Sequence, residues 1–205
     1  MREKTEQELF WEGEFGDSYT ERNQYDPMLR VPQYRHILSK TQGVESICEF
    51  GANRGLNMKA WHAVDPQLRL TAVEINSSAF AELSKIPYAT SIQSPIQDYA
   101  PQEQYDLTFT CGVLIHINPD TLGTVYQRLY DASRGYVMMI EYFNPTPVEI
   151  DYRGHAGRLF KRDFAGEFID QFGAGRVSVV DYGFWWRRAE PQWDNATWTL
   201  MRKAP

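Results

Sequence analysis

The sequence has few of the features that mark secreted, membrane-spanning or nucleic-acid-binding proteins. It contains two cysteines in 205 residues, without the paired spacing of a zinc site or a disulfide framework. No apolar run is long enough to span a membrane, and no apolar secretion segment follows the charged start of the chain. The net charge of -6 disfavours a general nucleic-acid binder, which needs a basic surface. We therefore expect a cytoplasmic protein that binds neither membrane nor nucleic acid.

Internal repeats, low-complexity tracts and long linkers are missing as well. No carboxylate cluster has the spacing of metal ligands, so we expect no metal. With 42% apolar residues, the chain can bury a substantial core as one compact unit. We divide it into an N-terminal helical cap or lid, residues 1–42, and a main domain, residues 43–205.

The chain is organised around a short apolar run followed by a glycine loop, residues 51–55. Gly51 and Gly55 bracket a tight turn between a strand and a helix, where the backbone takes conformations that other residues resist. The Gly-x-Gly-x-x-Gly spacing of a pyrophosphate site is absent, and Glu49 stands two residues before the first glycine. A carboxylate there repels phosphate and suits a cation. S-adenosylmethionine (SAM) fits this loop, because it carries a sulfonium and an ammonium and no phosphate.

The next apolar run ends at Glu74, whose two oxygens are placed to accept the ribose hydroxyls of SAM. The strand predicted over residues 89–93 ends beside the expected adenine. Adenine recognition there falls to Ser94 or to the backbone amides of Ile96 and Gln97, since proline 95 has no N–H. The predicted cofactor site also includes Asn53 of the glycine loop and Cys111.

Alternating strand and helix patterns predict an α/β fold with a mostly parallel sheet and helices on both faces. We predict strands over 46–50, 70–74, 89–93, 105–111, 136–142, 176–185 and 197–203, the last two joined as a hairpin. Residues 5–40 are predicted to form helices and loops. Within them, residues 10–23 are too irregular for a surface helix and are interpreted as a lid, from which Tyr19, Arg22 or Asn23 reaches the cofactor's carboxylate.

His116 is the candidate catalytic base, because an imidazole titrates near neutral pH and the preceding strand ends at the crevice. The alternative is that it caps the next helix or bonds a backbone group. Residues 152–162 carry five basic side chains and no acidic one. We interpret Arg153 and His155 as a site for an anionic acceptor, with Tyr142 and Asn144 orienting its hydroxyls.

The loop from Glu49 to Gly55, together with Glu74, resembles motif one and the acidic second-strand residue of class I SAM-dependent methyltransferases. The segments 10–17, 112–119, 141–150, 152–155 and 159–167 resemble the pseudaminic acid biosynthesis-associated methylases. This resemblance implies a Rossmann-like fold of seven strands with a C-terminal antiparallel hairpin. The segment 185–188, Trp-Trp-Arg-Arg, is bulkier and more basic than that family's Val-Tyr-His-Arg, which indicates a different acceptor pocket.

The sequence thus predicts a SAM-dependent methyltransferase for a small polar acceptor, most directly the oxygen of a sugar or sugar acid. An N-methyltransferase of a small amine-bearing metabolite and a non-catalytic SAM-binding module stay open as alternatives, as does oligomerisation. A DNA-directed enzyme is disfavoured by the charge and by the missing Asn/Asp-Pro-Pro-Tyr/Phe motif.

Overall fold

A seven-stranded sheet forms the centre of the computed structural model, which describes residues 2–204. Its strands are β1 (Ser46–Phe50), β2 (Arg69–Glu74), β3 (Ala89–Gln93), β4 (Tyr105–Cys111), β5 (Ser133–Glu141), β8 (Val177–Trp185) and β9 (Ala196–Lys203). Their order in the sheet is β3-β2-β1-β4-β5-β9-β8. The first five are parallel, and β9 runs antiparallel to both of its neighbours. The predicted fold class, including the C-terminal hairpin, is confirmed.

The helices lie on both faces of this sheet. They are α1 (Glu6–Glu12), α2 (Glu14–Arg22), α3 (Val31–Ser39), α4 (Leu56–Val64), α5 (Ser77–Leu83), α6 (Leu122–Ala132) and α7 (Phe164–Phe172). Two of the helices begin at a side-chain N-cap: the side chain of Asn76 accepts a hydrogen bond from the Ala79 amide (2.8 Å), and that of Asp163 from the Gly166 amide (2.9 Å).

The apolar core is split between the two sheet faces. On one face, Tyr34 of α3 stacks on Trp61 of α4 with ring centroids 4.4 Å apart. Both rings are fully buried. On the other face Phe168 of α7 packs edge-on against Tyr126 of α6. Each large side chain buried in this way contributes about 2–3 kcal/mol, so the sheet is fixed from both sides.

Outside the sheet, one prediction was wrong and one element was not predicted. Residues 14–22 form the regular helix α2, because Gly16 lets it pack directly on α1: a Cβ at Gly16 would lie 1.9 Å from the Trp11 carbonyl oxygen. The stretch after β5, over which no strand was predicted, forms a hairpin of β6 (Val148–Tyr152) and β7 (His155–Lys161). Its turn residues, Arg153 and Gly154, both have positive φ, 52° and 85°, as two-residue hairpins favour.

Over the described residues 2–204, none of the helices combines the length and apolar character that crossing a bilayer requires. The same range contains no group of three or more histidine, cysteine, aspartate or glutamate side chains arranged to hold a metal ion.

Candidate active site

A cavity of about 470 Å³ opens at the carboxyl ends of β1, β2 and β4, where the crevice of a doubly wound sheet is expected. Its volume suits one or two small molecules. Helices α1 and α2 and the turn of the β6–β7 hairpin complete its walls. The predicted site residues that line it are Tyr19, Arg22, Glu49, Gly51, Asn53, Glu74, Ser94, Ile96, Cys111, His116, Tyr142 and Arg153.

Three of the predicted site residues do not line the cavity. Gly55 has φ +75°, and a Cβ there would run into side chains at the end of α5, so this glycine lets helices pack. The side-chain amide of Asn144 donates to the Thr146 carbonyl (2.5 Å) and shapes its own loop. The ring of His155 lies edge-on to Phe10, 5.0 Å between centroids, and supports α1.

The glycine loop is held against β2 by a buried carboxylate. Glu74 accepts hydrogen bonds from the amides of Asn53 (2.6 Å) and Asn76 (2.7 Å), one on each oxygen. Gly51 has φ +76°, and a Cβ there would lie 2.6 Å from Val113, so no other residue fits. Each carboxylate oxygen keeps a second lone-pair direction, which leaves Glu74 able to accept from a ligand. Burial raises the pKa of this carboxyl.

A polar chain that the sequence did not reveal connects the N-terminal segment to Glu49. Nη1 of Arg30 donates to Oδ1 of Asn57 (2.7 Å), whose Nδ2 donates to Oε1 of Glu49 (2.6 Å). The Arg30 guanidinium lies between the rings of Tyr25 and Trp193, 3.9 Å from each centroid. Burial raises the pKa of Glu49 to about 8 in spite of its bond to Asn57. Arg30 and Glu49 thus face the same cavity as a fixed cation and a carboxyl that takes up a proton easily.

Several buried polar atoms of cavity-lining residues have no hydrogen-bond partner within residues 2–204. They are Nε1 of Trp11, Nε of Arg30, Oε2 of Glu49, Oδ1 of Asn53, Nε2 of Gln97 and Nε1 of Trp193. Unsatisfied buried polar atoms are rare in folded proteins, and each costs about 1–3 kcal/mol. Their concentration around one cavity indicates a polar ligand with both donors and acceptors.

His116 is buried, and the structure fixes its tautomer. Nδ1 lies 2.5 Å from the Arg158 carbonyl oxygen, to which it must donate, so Nε2 carries the lone pair. The imidazole packs between the rings of Trp11 (4.6 Å) and Tyr152 (4.8 Å). Burial lowers its pKa to about 4, and the side chain is therefore a neutral proton acceptor at pH 7. The ring thus bonds a backbone group, as the alternative reading of the sequence expects, and it also lines the cavity, while its role as a base stays a prediction.

A second residue missed by the sequence reasoning, Glu141, positions the loop that carries His116. Its carboxylate accepts from the amides of Val113 (3.1 Å) and Ile115 (3.4 Å) at the end of β4. The His116 amide in turn donates to the Val113 carbonyl (2.9 Å). Burial raises the pKa of Glu141 to about 7. The sequence feature that could have identified Glu141 is its position as an acidic residue at the end of the apolar run of β5.

The predicted anion site is weaker in the structure than in the sequence. Arg158 pairs with Glu6 (3.3 Å), and Arg162 pairs with Glu167 (2.7 Å), so two of the five basic side chains are neutralised. Arg153 stays at the cavity mouth on the exposed hairpin turn. It is the basic residue of this segment that an acceptor can reach.

The N-terminal helices and the hairpin form one connected wall. Nε2 of Gln7 donates to the Gly157 carbonyl (2.9 Å), and its Oε1 accepts from Asn118 (3.1 Å) beside the His116 loop. On the opposite side, Asp17 of α2 accepts from Asn76 (2.9 Å) at the start of α5. These elements thus cover one side of the cavity and contact several separate parts of the rest of the chain.

A scan against protein-family models finds no match, and a search of curated proteins finds none either. A search of solved structures finds proteins whose structures are similar to that of this chain. The DhpI complex with S-adenosylhomocysteine is 15% identical, with a TM-score of 0.67 over 98% of this chain and 100% of that one. The 1,6-didemethyltoxoflavin-N1-methyltransferase of Burkholderia thailandensis is 16% identical, with a TM-score of 0.67 over 96% and 85%. The mitomycin 7-O-methyltransferase MmcR is 14% identical, with a TM-score of 0.62 over 91% and 60%. This chain therefore has the fold of class I SAM-dependent methyltransferases.

Proposed function

We propose that this protein is a SAM-dependent methyltransferase that transfers a methyl group to a small polar acceptor, with the oxygen of a sugar or sugar acid as the preferred nucleophile. One observation carries the proposal. A neutral histidine, His116, lines the same cavity as the two buried carboxyls Glu49 and Glu74. Solved structures of the same fold are described as complexes with SAM or S-adenosylhomocysteine.

The unsatisfied atoms of the cavity match the polar groups of SAM. Oε2 of Glu49 suits the ammonium, and Nε of Arg30 suits the carboxylate. The carboxylate of Glu74 suits the ribose hydroxyls, while Nε2 of Gln97, close to Ser94 in sequence, suits a ring nitrogen of adenine. When bound, SAM supplies a methyl group on a positively charged sulfur. The protein supplies the position and the charges around it.

The acceptor would react at the His116 end of the cavity. For an acceptor hydroxyl, Nε2 of His116 would take up the proton while the oxygen forms a bond to the methyl carbon and the bond from that carbon to the sulfur of SAM breaks, which would leave S-adenosylhomocysteine. Arg153 would bind a carboxylate or phosphate of the acceptor. The hydroxyl of Tyr142 donates to Asp194 (2.8 Å) and so is free to accept from an acceptor hydroxyl.

A second candidate is transfer to the nitrogen of a small amine. It is favoured by neighbours of the same fold that are N-methyltransferases, the Burkholderia thailandensis enzyme and the glycopeptide enzyme MtfA. A neutral amine needs no base before attack, so His116 would then matter little for the rate. A module that only binds SAM would bind it and leave every acceptor unmethylated.

The test is incubation of the purified protein with methyl-labelled SAM and a metabolite extract, followed by mass spectrometry. We expect a labelled sugar or sugar acid, and fragmentation distinguishes oxygen from nitrogen. The control is Glu74→Gln, which leaves one of the two buried amides bound by Glu74 without an acceptor, whereas Glu74→Ala would leave both. SAM binding without any label above this control would contradict the proposal and favour the binding module.

SAM affinity is expected to fall as the pH is lowered from about 8 to 6. The pKa of Glu49 in the empty cavity is about 8, and the ammonium of SAM binds the ionised form. At pH 7 the carboxyl must release its proton on binding, so the affinity falls by up to about tenfold per pH unit. Calorimetry in buffers of different ionisation enthalpy measures this proton. In Glu49→Gln the pH dependence between 6 and 7.5 disappears, and its persistence would exclude Glu49 as the source.

A further inference from the structure

A column of stacked side chains connects the cavity to the C-terminal hairpin. Trp193 lies in the connection between β8 and β9, and its ring centroid is 3.9 Å from the Arg30 guanidinium carbon and 4.0 Å from the ring centroid of Trp185. Two groups this close to one ring cannot share a face, so they cover its two opposite faces. Trp198 of β9 lies beyond Trp185, with 5.8 Å between the ring centroids. The hairpin thus supports Arg30 from the side opposite Tyr25.

Trp185 belongs to the segment 185–188, whose bulk indicated a different acceptor pocket. In the structure none of the residues of this segment lines the cavity. Trp185 is buried in the core behind Trp193, whereas Trp193 itself lines the cavity and is 3% exposed. Stacked aromatic pairs are stabilised beyond the burial of their surface. The bulk of Trp185 therefore sets the position of Trp193.

Trp193 and Arg30 each carry a donor that the protein does not use. Nε1 of Trp193 and Nε of Arg30 are buried and have no hydrogen-bond partner within residues 2–204. Neither an indole nor a guanidinium contains an acceptor, so both atoms can only donate. Buried polar atoms are almost always bonded in folded proteins. We therefore expect a ligand in the cavity to supply the acceptors.

The bonds of Arg30 to the protein leave its positive charge without a carboxylate partner. Nη1 donates to Oδ1 of Asn57 (2.7 Å) and Nη2 to a backbone carbonyl (3.4 Å), so both bonded nitrogens reach neutral groups. Asp194, the residue after Trp193, also lines the cavity. Its carboxylate accepts from the Tyr142 hydroxyl (2.8 Å) and pairs with Arg187 (3.6 Å). The acceptors that Arg30 requires are therefore best supplied by an anion.

We propose that Nε1 of Trp193 and Nε of Arg30 together bind the carboxylate of SAM, and that Trp185 is a positioning residue for this pair. The inference rests on the proposed function. A carboxylate has two oxygens and so offers an acceptor to each donor. Asn57 joins Arg30 to Glu49 through two hydrogen bonds. Because the ammonium and the carboxylate of an amino acid share one carbon, SAM with its ammonium at Glu49 presents its carboxylate toward Arg30.

Calorimetric affinities for SAM and for decarboxylated SAM test the assignment. Decarboxylated SAM keeps the sulfonium, the ammonium and the adenosine but has no carboxylate. Trp193→Phe keeps an aromatic ring against Arg30 and removes the N–H. We expect this variant to bind SAM about tenfold or more weakly, the effect of losing a hydrogen bond to a charged group. Its affinity for decarboxylated SAM is expected to stay unchanged.

The matched control is Trp61→Phe. Nε1 of Trp61 is also buried and without a partner within residues 2–204, but this side chain does not line the cavity. We therefore expect both affinities to stay unchanged. Trp185→Leu leaves the N–H of Trp193 in place and removes its support, so SAM alone should bind more weakly, and Trp185→Phe should recover most of the loss. Thermal unfolding shows whether each variant is folded.

An equal loss of affinity for both ligands in Trp193→Phe would overturn the inference, because it indicates a general effect on the cavity. Unchanged SAM affinity would overturn it as well, and a raised KM for an anionic acceptor in this variant would then assign the two donors to the acceptor's carboxylate. If the unmodified chain binds SAM and decarboxylated SAM equally, the inference fails and the proposed function does not. If it binds no SAM, both fail.

Discussion

Replacing His116 with alanine is expected to lower kcat by about 100- to 10,000-fold while changing SAM affinity little. The reason is that proton transfer to a positioned base contributes a factor of this size when a hydroxyl is methylated. His116 is locked in the tautomer that leaves Nε2 as the acceptor. The measurement is single-turnover methyl transfer, with SAM affinity determined separately by calorimetry.

The pH dependence of kcat/KM for the acceptor, measured with SAM saturating so that the ionisation of Glu49 does not contribute, provides an independent check on His116. Because burial lowers its pKa to about 4, protonation should reduce the rate only near that pH and not near the ordinary value of 6.5. The matched control is His62→Ala, a half-buried histidine that stacks on Tyr88 and does not line the cavity. Full activity of His116→Ala would remove the base and favour transfer to nitrogen.

Replacing Arg30 with alanine is expected to weaken SAM binding by about ten- to a hundredfold. The guanidinium has an unsatisfied Nε and is fixed between two rings, so it is already ordered for a carboxylate. A hydrogen bond to a charged group contributes about 1.5–3 kcal/mol, which corresponds to this loss. Arg30→Lys should recover only part of the affinity, because lysine lacks the planar fork and stacks poorly.

The informative comparison for Arg30 is Arg22→Ala. Arg22 also lines the cavity, and the sequence favoured it for the cofactor's carboxylate, yet it is exposed and stacks on Phe15 at 4.8 Å. We expect a small effect there, since solvent screens an exposed cation. If calorimetry shows the larger loss for Arg22→Ala, the carboxylate of SAM binds at the mouth of the cavity and the assignment to Arg30 fails.

The parts of this protein that could be predicted are those encoded locally. The glycine loop can be recognised in the sequence because Gly51, which needs a positive φ, directly follows a buried strand. Glu74 can be recognised because it ends the next apolar run. The parallel sheet follows from the alternation of strand and helix patterns. Within the main sheet, the largest difference between a predicted and an observed strand end is at the start of β5, which begins at Ser133 and was predicted to begin at residue 136.

The residues that escaped prediction depend on contacts distant in sequence. Arg30 becomes a site residue only because Trp193, near the other end of the chain, packs against it. Helix α2 did not look amphipathic, because its aromatic Tyr19 faces a cavity and not the core. The β6–β7 hairpin is exposed on both faces over much of its length, so it lacks the alternation that identifies a strand.

The contacts between the N-terminal helices and the hairpin affect how a ligand enters and leaves the cavity. Gln7 bonds the backbone of Gly157, and Phe10 rests against His155, so neither wall can swing out without breaking contacts to the other. The two walls are therefore expected to move together and not independently of each other. A change at Gln7 that removes its bond to Gly157 would therefore loosen both walls together, and we expect it to alter the entry and the exit of a ligand alike.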